Sequence, residues 1–226
     1  MLIFHLVGVP AAVFSLLTIV ALILAFVMLG SHWIKNHIVA FAAESWVIAA
    51  LSAAVGYTGH YPELEFIALL TALLRGTVLP YMLLRIVNDL GQNREFVPLL
   101  QPASSIVLGG LLVLFSYAVA ERMGVRMHIV EGIAVLALTA MFALKLIGFL
   151  MLVLRAEAVS HILGLLVIEN GIFLGSQILV PGMPLLLELV ILFDLLIIVS
   201  TFGMLVHYLH KELGTTSSRE LTRLVG

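Results

Sequence analysis

The chain has 226 residues, 62% of them hydrophobic and 11% charged, where ordinary soluble domains run about 45–50% apolar and about 25% charged. With a mean hydropathy of +1.21 it is no soluble globular domain, and a formal net charge of −2 gives it no footing on nucleic acid. Cysteine is absent, which excludes disulfides and cysteine-ligated iron–sulfur or zinc centres, so electrons handled nearby would be carried by another subunit.

A spanning helix needs about 20 mainly apolar residues. Seven segments meet this in chain order: 8–29, 37–56, 65–87, 104–120, 130–154, 158–180 and 184–208, the fourth being the shortest. The opening Met1-Leu2-Ile3-Phe4-His5 lacks the positive region of a cleavable signal, so the first segment is expected to persist as a helix. Turn and polar signals separate the segments at Gly30-Ser31-His32, Gly56 to Gly59, Asn88 to Asn93, Glu121 to Arg126, Arg155-Ala156-Glu157 and Pro181-Gly182. Lipid offers the backbone no hydrogen-bond partner, so each span must be helical. The expected fold is all-α, a polytopic membrane bundle of about seven transmembrane helices. Residues 1–127 supply four helices, 128–209 three more, and 210–226 a polar tail. No short-period repeat is visible.

Lys and Arg set the expected orientation. With the N-terminus outside and the C-terminus cytoplasmic, the inner segments carry Lys35, Arg85, Arg94, Arg155, Lys211, Arg219 and Arg223, and the outer loops only Arg122 and Arg126. That agrees with the excess of positive residues on cytoplasmic loops, here of a cell (inner) membrane. The tail from His210 would then face the cytoplasm, either frayed or docked on a peripheral subunit.

Six ionisable residues interrupt the apolar segments: Glu44, Arg75, Lys145, Glu169, Glu188 and Asp194. A charge at the bilayer centre costs at least ~2.5 kcal/mol, so such residues face the protein interior and find partners. At the helical rise per residue, Glu44 and Lys145 lie about 10 Å from the cytoplasmic edge, and Arg75, Glu169 and Asp194 about 15 Å in. Glu188 lies about 6 Å from the outer surface on the same scale. Two readings compete: buried ion pairs that fix helix register, or a water-linked relay in which a carboxylate exchanges protons as a neighbouring cation moves. The presence of both signs favours the relay, because a buried Lys titrates readily while Arg stays charged as a fixed counter-ion.

Pro80 cannot donate to the carbonyl of Gly76, the residue after Arg75. A kink there is expected, either as ordinary packing or as the wall of a hydrated cavity. His161 and His207 stand at helix ends on one side, where a b-type haem is conceivable, but edge histidines are more often interfacial, and no cofactor is expected. Gly109-Gly110, Gly164, Gly171 and Gly175 provide small residues for close helix contact. His32, Trp33 and His37 look like an interfacial anchor. No nucleophile–base spacing or metal-ligand cluster suggests catalysis.

The stretch Arg155-Ala-Glu-Ala-Val-Ser-His-Ile-Leu-Gly-Leu-Leu-Val-Ile-Glu169-Asn170-Gly171 resembles the charged turn and following helix of hydrogenase-4 component E. So do Pro184-x3-Glu188-x5-Asp194, the tail Glu220-Leu-Thr-Arg-Leu-Val-Gly226 and Arg75-x4-Pro80, with Arg where Lys is expected. The last three helices are also similar to the small K subunit of NADH-quinone oxidoreductase and to the C subunit of Mrp-type antiporters. Asp194 falls where the third-helix glutamate of the K subunit belongs. The second-helix glutamate of that same protein would align near Leu165, and Glu169 follows one turn later. The resemblance implies a non-catalytic membrane-arm subunit of a complex-I-like respiratory or hydrogenase complex. Its partners would be antiporter-like membrane subunits, a membrane anchor and peripheral hydrogenase and iron–sulfur subunits. Glu169 and Asp194 would exchange protons, or sodium would move instead, with Arg75 and Lys145 as charge partners. The alternative is a structural spacer subunit of an Mrp-type cation/proton antiporter or related complex, with no ion path of its own. A stand-alone secondary transporter, lacking a visible inverted repeat, is the least supported.

Overall fold

The computed structural model describes residues 9–89, 101–126 and 132–179, together with Ser200, Gly203 and Met204. Seven α-helices occupy these stretches: α1 (Val9–Gly30), α2 (Ile34–Gly59), α3 (Pro62–Leu73), α4 (Leu79–Asp89), α5 (Pro102–Arg126), α6 (Gly132–Leu154) and α7 (Ala158–Leu179). A π-helical turn, Leu74–Val78, joins α3 to α4 without a break, so the two make one span, Pro62–Asn88. Six helices are therefore long and apolar enough to cross a membrane among the described residues. The architecture is an all-α membrane bundle. The expected seventh span, 184–208, lies outside the described residues except at Ser200, Gly203 and Met204, where Gly203 packs against Ile86 of α4.

Two expected breaks prove helical. The polar run Glu121 to Arg126 continues α5 by more than a turn, because it holds good helix formers and no proline; polarity ends the apolar stretch without ending the helix. Likewise Gly56 to Gly59 stays in α2, with the Thr58 hydroxyl bonded back to the Ala54 carbonyl at 2.7 Å. The helix stops at His60, which adopts the left-handed conformation (φ 57°, ψ 40°) and donates its N–H to Gly56. Pro62 then opens α3 at a position where a missing N–H is harmless, with Glu63 and Glu65 in the first turn.

Helices α1 and α2 form one hairpin and α6 and α7 another, each turning through three residues, Ser31 to Trp33 and Arg155 to Glu157. The hairpins lie side by side, α1 on α6 and α2 on α7. Their turns meet at one end of the bundle, where the buried Arg155 guanidinium donates to the carbonyls of Met28 (3.2 Å), Leu29 (2.7 Å) and Ser31 (3.1 Å). Those are the last carbonyls of α1 and its turn, which have no partner within the helix. Arg155 is thus a cross-hairpin cap, whereas its charge alone suggested an exposed loop residue.

The tightest seam joins α6 to α7. In lipid there is no hydrophobic drive between helices, so close van der Waals contact between small residues carries association. A methyl group on Gly148 would stand 2.7 Å from the Gly164 carbonyl, and one on Gly164 would stand 3.0 Å from the Gly148 carbonyl. Each glycine makes room for the other's backbone. Gly171 and Gly175 continue the same stripe against Met141 and Leu144. Gly109 admits Leu29 and Phe26 of α1, while its neighbour Gly110 faces open space.

Candidate functional site

The polar side chains of the interior converge where α2, the π-turn and α7 meet. On α2 the face packed inward carries Glu44, Ser45 and Ser52, all with no exposed surface. On α7 it carries Asn170 and Gln177, both buried. Ser45 and Ser52, like Asn170 and Gln177, recur at seven-residue spacing, which keeps them on one side of a helix over two turns. Asn170 Nδ2 donates to Ser45 Oγ at 3.4 Å, and Gln177 Nε2 donates to Ser52 Oγ. Both rungs join residues 125 apart in sequence, so α2 and α7 run parallel in constant register.

Arg75 enters this seam from the π-turn with only 1% of its surface exposed. Its Nη1 donates to Asn170 Oδ1 at 3.2 Å, its Nη2 lies 3.8 Å from Glu169 Oε2, and its guanidinium carbon sits 5.5 Å from the centre of the Phe173 ring. The amide of Asn170 therefore links the cation on one side to the Ser45 hydroxyl on the other. Its neighbour Glu44 is fully buried with neither carboxyl oxygen in a hydrogen bond, although Asn170 lies close by. Thr71, one turn from Arg75 on the same face, has a buried hydroxyl oxygen without a partner.

The local backbone explains how Arg75 reaches this place. Pro80 removes the donor that the Gly76 carbonyl would use. The chain responds with a π-turn, in which the Leu79 N–H bonds to the Leu74 carbonyl five residues back. The Thr77 hydroxyl likewise reaches the Ala72 carbonyl at 3.1 Å. The expected kink is thus a one-turn widening centred on Arg75, Gly76 and Thr77, a device that recurs at functional sites. Gly76 is needed there for close approach, since a methyl group would stand 2.7 Å from the indole nitrogen of Trp46.

Of the six expected site residues, the structure brings Glu44, Arg75 and Glu169 to one region. Lys145 is half-buried on α6, its stem beside Gly171, and no ion pair joins it to Glu169 or Glu44 among the described residues. Glu188 and Asp194 lie outside the described residues, as does His207. His161 Nδ1 engages the Glu157 carbonyl at 3.0 Å. The anchor expected at the first turn divides: Trp33 is half-exposed, but His37 is fully buried with Nε2 at 2.9 Å from the Ser31 carbonyl. Sequence reading passes over the uncharged members Ser45, Ser52 and Gln177, and meets Asn170 only as part of the family stretch, with no role given to it. The signal that finds them is the seven-residue spacing shared by the two helices.

No family model matches the sequence, and no solved structure matches it. Over 184 residues, 81% of this chain and 82% of the relative, it is 30% identical to the uncharacterized protein Rv0085 of Mycobacterium tuberculosis. A chain this similar over most of both lengths belongs to the same family as that protein.

Proposed function

We propose that the chain is a non-catalytic membrane subunit of a complex-I-like respiratory or hydrogenase assembly. In this role it helps couple redox chemistry in partner subunits to ion translocation across the cell (inner) membrane. One observation carries the reading. A buried guanidinium, paired with Glu169 and linked through Asn170 to Ser45, lies in the same seam as the fully buried Glu44, the residue before Ser45. Ionisable groups kept at such depth in an apolar bundle are functional by default. Asn170 and the serines supply hydrogen-bonding groups between the charges, and the π-turn gives Arg75 slack to change partners. The finer elements, N-terminus outside, a seventh span containing Asp194 and a cytoplasmic tail, come from the charge distribution and the resemblance to hydrogenase-4 component E.

The competing reading is a spacer whose buried polar groups only fix helix packing. It is favoured by Arg155, a buried cation that caps backbone carbonyls at the hairpin turns.

The test has two parts. Affinity-tagged full-length chain, solubilised from its native membranes in mild detergent, should bring down antiporter-like membrane subunits and a nickel-hydrogenase large subunit. In inside-out vesicles from the same cells, Glu169→Gln should lower gradient formation while electron transfer by the complex persists. A gradient undiminished at equal complex content, or purification with no redox partner, would refute the proposal.

A further inference from the structure

We infer that Glu44 is the neutral, proton-bearing member of the buried cluster, and that the ion handled there is a proton. This deepens the reading of the seam as an ion path and rests on it for the identity of the transported ion, whereas the protonation state follows from geometry alone.

Charge balance comes first. Glu44, Arg75 and Glu169 lie in one region, two acids against one base, with Glu44 and Arg75 buried and the Glu169 side chain 26% exposed. The guanidinium is committed to Glu169, at 3.8 Å, and to the Asn170 carbonyl oxygen, at 3.2 Å. Arg keeps its charge under all ordinary conditions, so Glu169 balances it as a carboxylate. Ionised Glu44 would then be a charge with no exposed surface and, among the described residues, no cation paired with it; the Asn170 amide stands near its oxygens but makes no well-formed hydrogen bond to them. Such a group neutralises itself instead.

Among the described residues, the elements packed around Glu44 supply no second cation. Helix α1 contains no ionisable residue, and α3 carries only Glu63 and Glu65 in its first turn. Helix α4 brings Arg85, which is exposed, and Asp89 as its last residue. Helix α7 brings Glu169, already paired, and His161 near the hairpin turn. On α2 itself, Lys35 stands in the first turn, and His37 is two turns away from Glu44 and bonded to Ser31. Lys145 stands on α6, beyond the Gly171 seam.

Either a proton or a small cation must therefore complete the charge. The oxygens near Glu44 argue against a metal ion. Asn170 Oδ1 already accepts from Arg75 and Ser45 Oγ from Asn170, and among the described residues no group of three or more His, Asp or Glu side chains could hold a metal ion. A sodium ion would have to share these oxygens with the protein's own donors and sit in the same cluster as a fixed guanidinium. A proton needs no coordination shell and converts the carboxylate to a carboxylic acid in place, with no other bond changed.

The experiment is infrared difference spectroscopy on the full-length protein in lipid vesicles at neutral pH. The wild-type minus Glu44→Gln spectrum should contain one protonated-carboxyl C=O band, which moves down in D₂O and is unchanged when sodium replaces choline as the buffer cation. Glu44→Asp, which retains the acid, should displace the band without abolishing it. That variant serves as the comparison if Glu44→Gln fails to assemble in the vesicles. A difference spectrum containing carboxylate bands in place of the C=O band would overturn the inference, as would loss of the band on adding sodium. The outcome is independent of coupling. A protonated Glu44 together with an undiminished gradient in the vesicle assay leaves the protonation state standing, and removes the pumping role and with it the identity of the transported ion.

Discussion

The Gly148–Gly164 contact gives the sharpest stability prediction. Placing a methyl group on Gly148 puts it 2.6 Å from Ile168 Cγ1, 2.7 Å from the Gly164 carbonyl oxygen and 2.9 Å from the Ile168 backbone nitrogen. The first neighbour is a side-chain atom and could turn away. The other two are backbone and move only with the helix, so α7 must retreat from α6 by several tenths of an ångström along their tightest seam. Overpacking of this kind costs about 1–3 kcal/mol. Alanine also favours the helix over glycine by up to about 1 kcal/mol, which offsets part of the loss. Gly110→Ala is the internal reference, since nothing lies within 4 Å of its added methyl group. Both variants share the propensity gain, so their difference isolates the clash. Reversible unfolding in mixed micelles, followed by helicity and tryptophan fluorescence, should place Gly148→Ala about 1–3 kcal/mol below Gly110→Ala. Equal stabilities would refute the close approach of the two backbones.

The remaining predictions address the polar contacts. Arg155→Met should cost about 3 kcal/mol in the same assay, because three carbonyls at the end of α1 lose a charged donor; Arg155→Lys should recover part of it, and parity of Met with wild type would remove the capping role. A double-mutant cycle with Arg75→Met and Glu169→Gln should return a coupling of about 0.5–3 kcal/mol, and a vanishing value would show that the 3.8 Å pair contributes nothing. Gly76→Ala should cost less than Gly148→Ala, since Trp46 is 51% exposed and free to swing outward. It should shift Trp46 emission, and an unchanged spectrum would place the indole elsewhere.

Much of the fold is readable from hydropathy and breakers, and the misreadings share a cause. Composition locates the edge of the apolar stretch, which is a different thing from the edge of the helix. The backbone of α5 continues through Glu121 and Arg122 because helix formation depends on hydrogen bonding and local propensity, and neither fails there. The π-turn is half-legible. Pro80 announces a local defect at Gly76, but proline chemistry is equally satisfied by a kink, and nothing in the local sequence selects the widening, which brings Gly76 against Trp46. Charged residues stand out in an apolar sequence, so Glu44, Arg75 and Glu169 are found. Neutral amides and hydroxyls do not stand out, although Asn170 is what joins Arg75 to Ser45. Arg155 reads as a loop residue for a related reason: its neighbours in sequence are a turn, and nothing local reveals that the free carbonyls of another hairpin lie within reach.

The constant register between α2 and α7 ties these pieces together. Two rungs at the same offset mean that the helices advance in step over at least two turns, and the Arg155 cap pins the ends from which they advance. Fixing the turns therefore fixes the level at which Ser45 meets Asn170, and with it the distance from Asn170 to Glu44 and the place where Arg75 must arrive. The π-turn then becomes intelligible as a fitting element. The wide turn, Leu74–Val78, is where the third span meets that seam, and Arg75 reaches Asn170 from it. The position of the charge thus depends on the hairpin turns as much as on its immediate neighbours. The buried cluster is then a property of two hairpins laid side by side, with the third span adjusted to meet them.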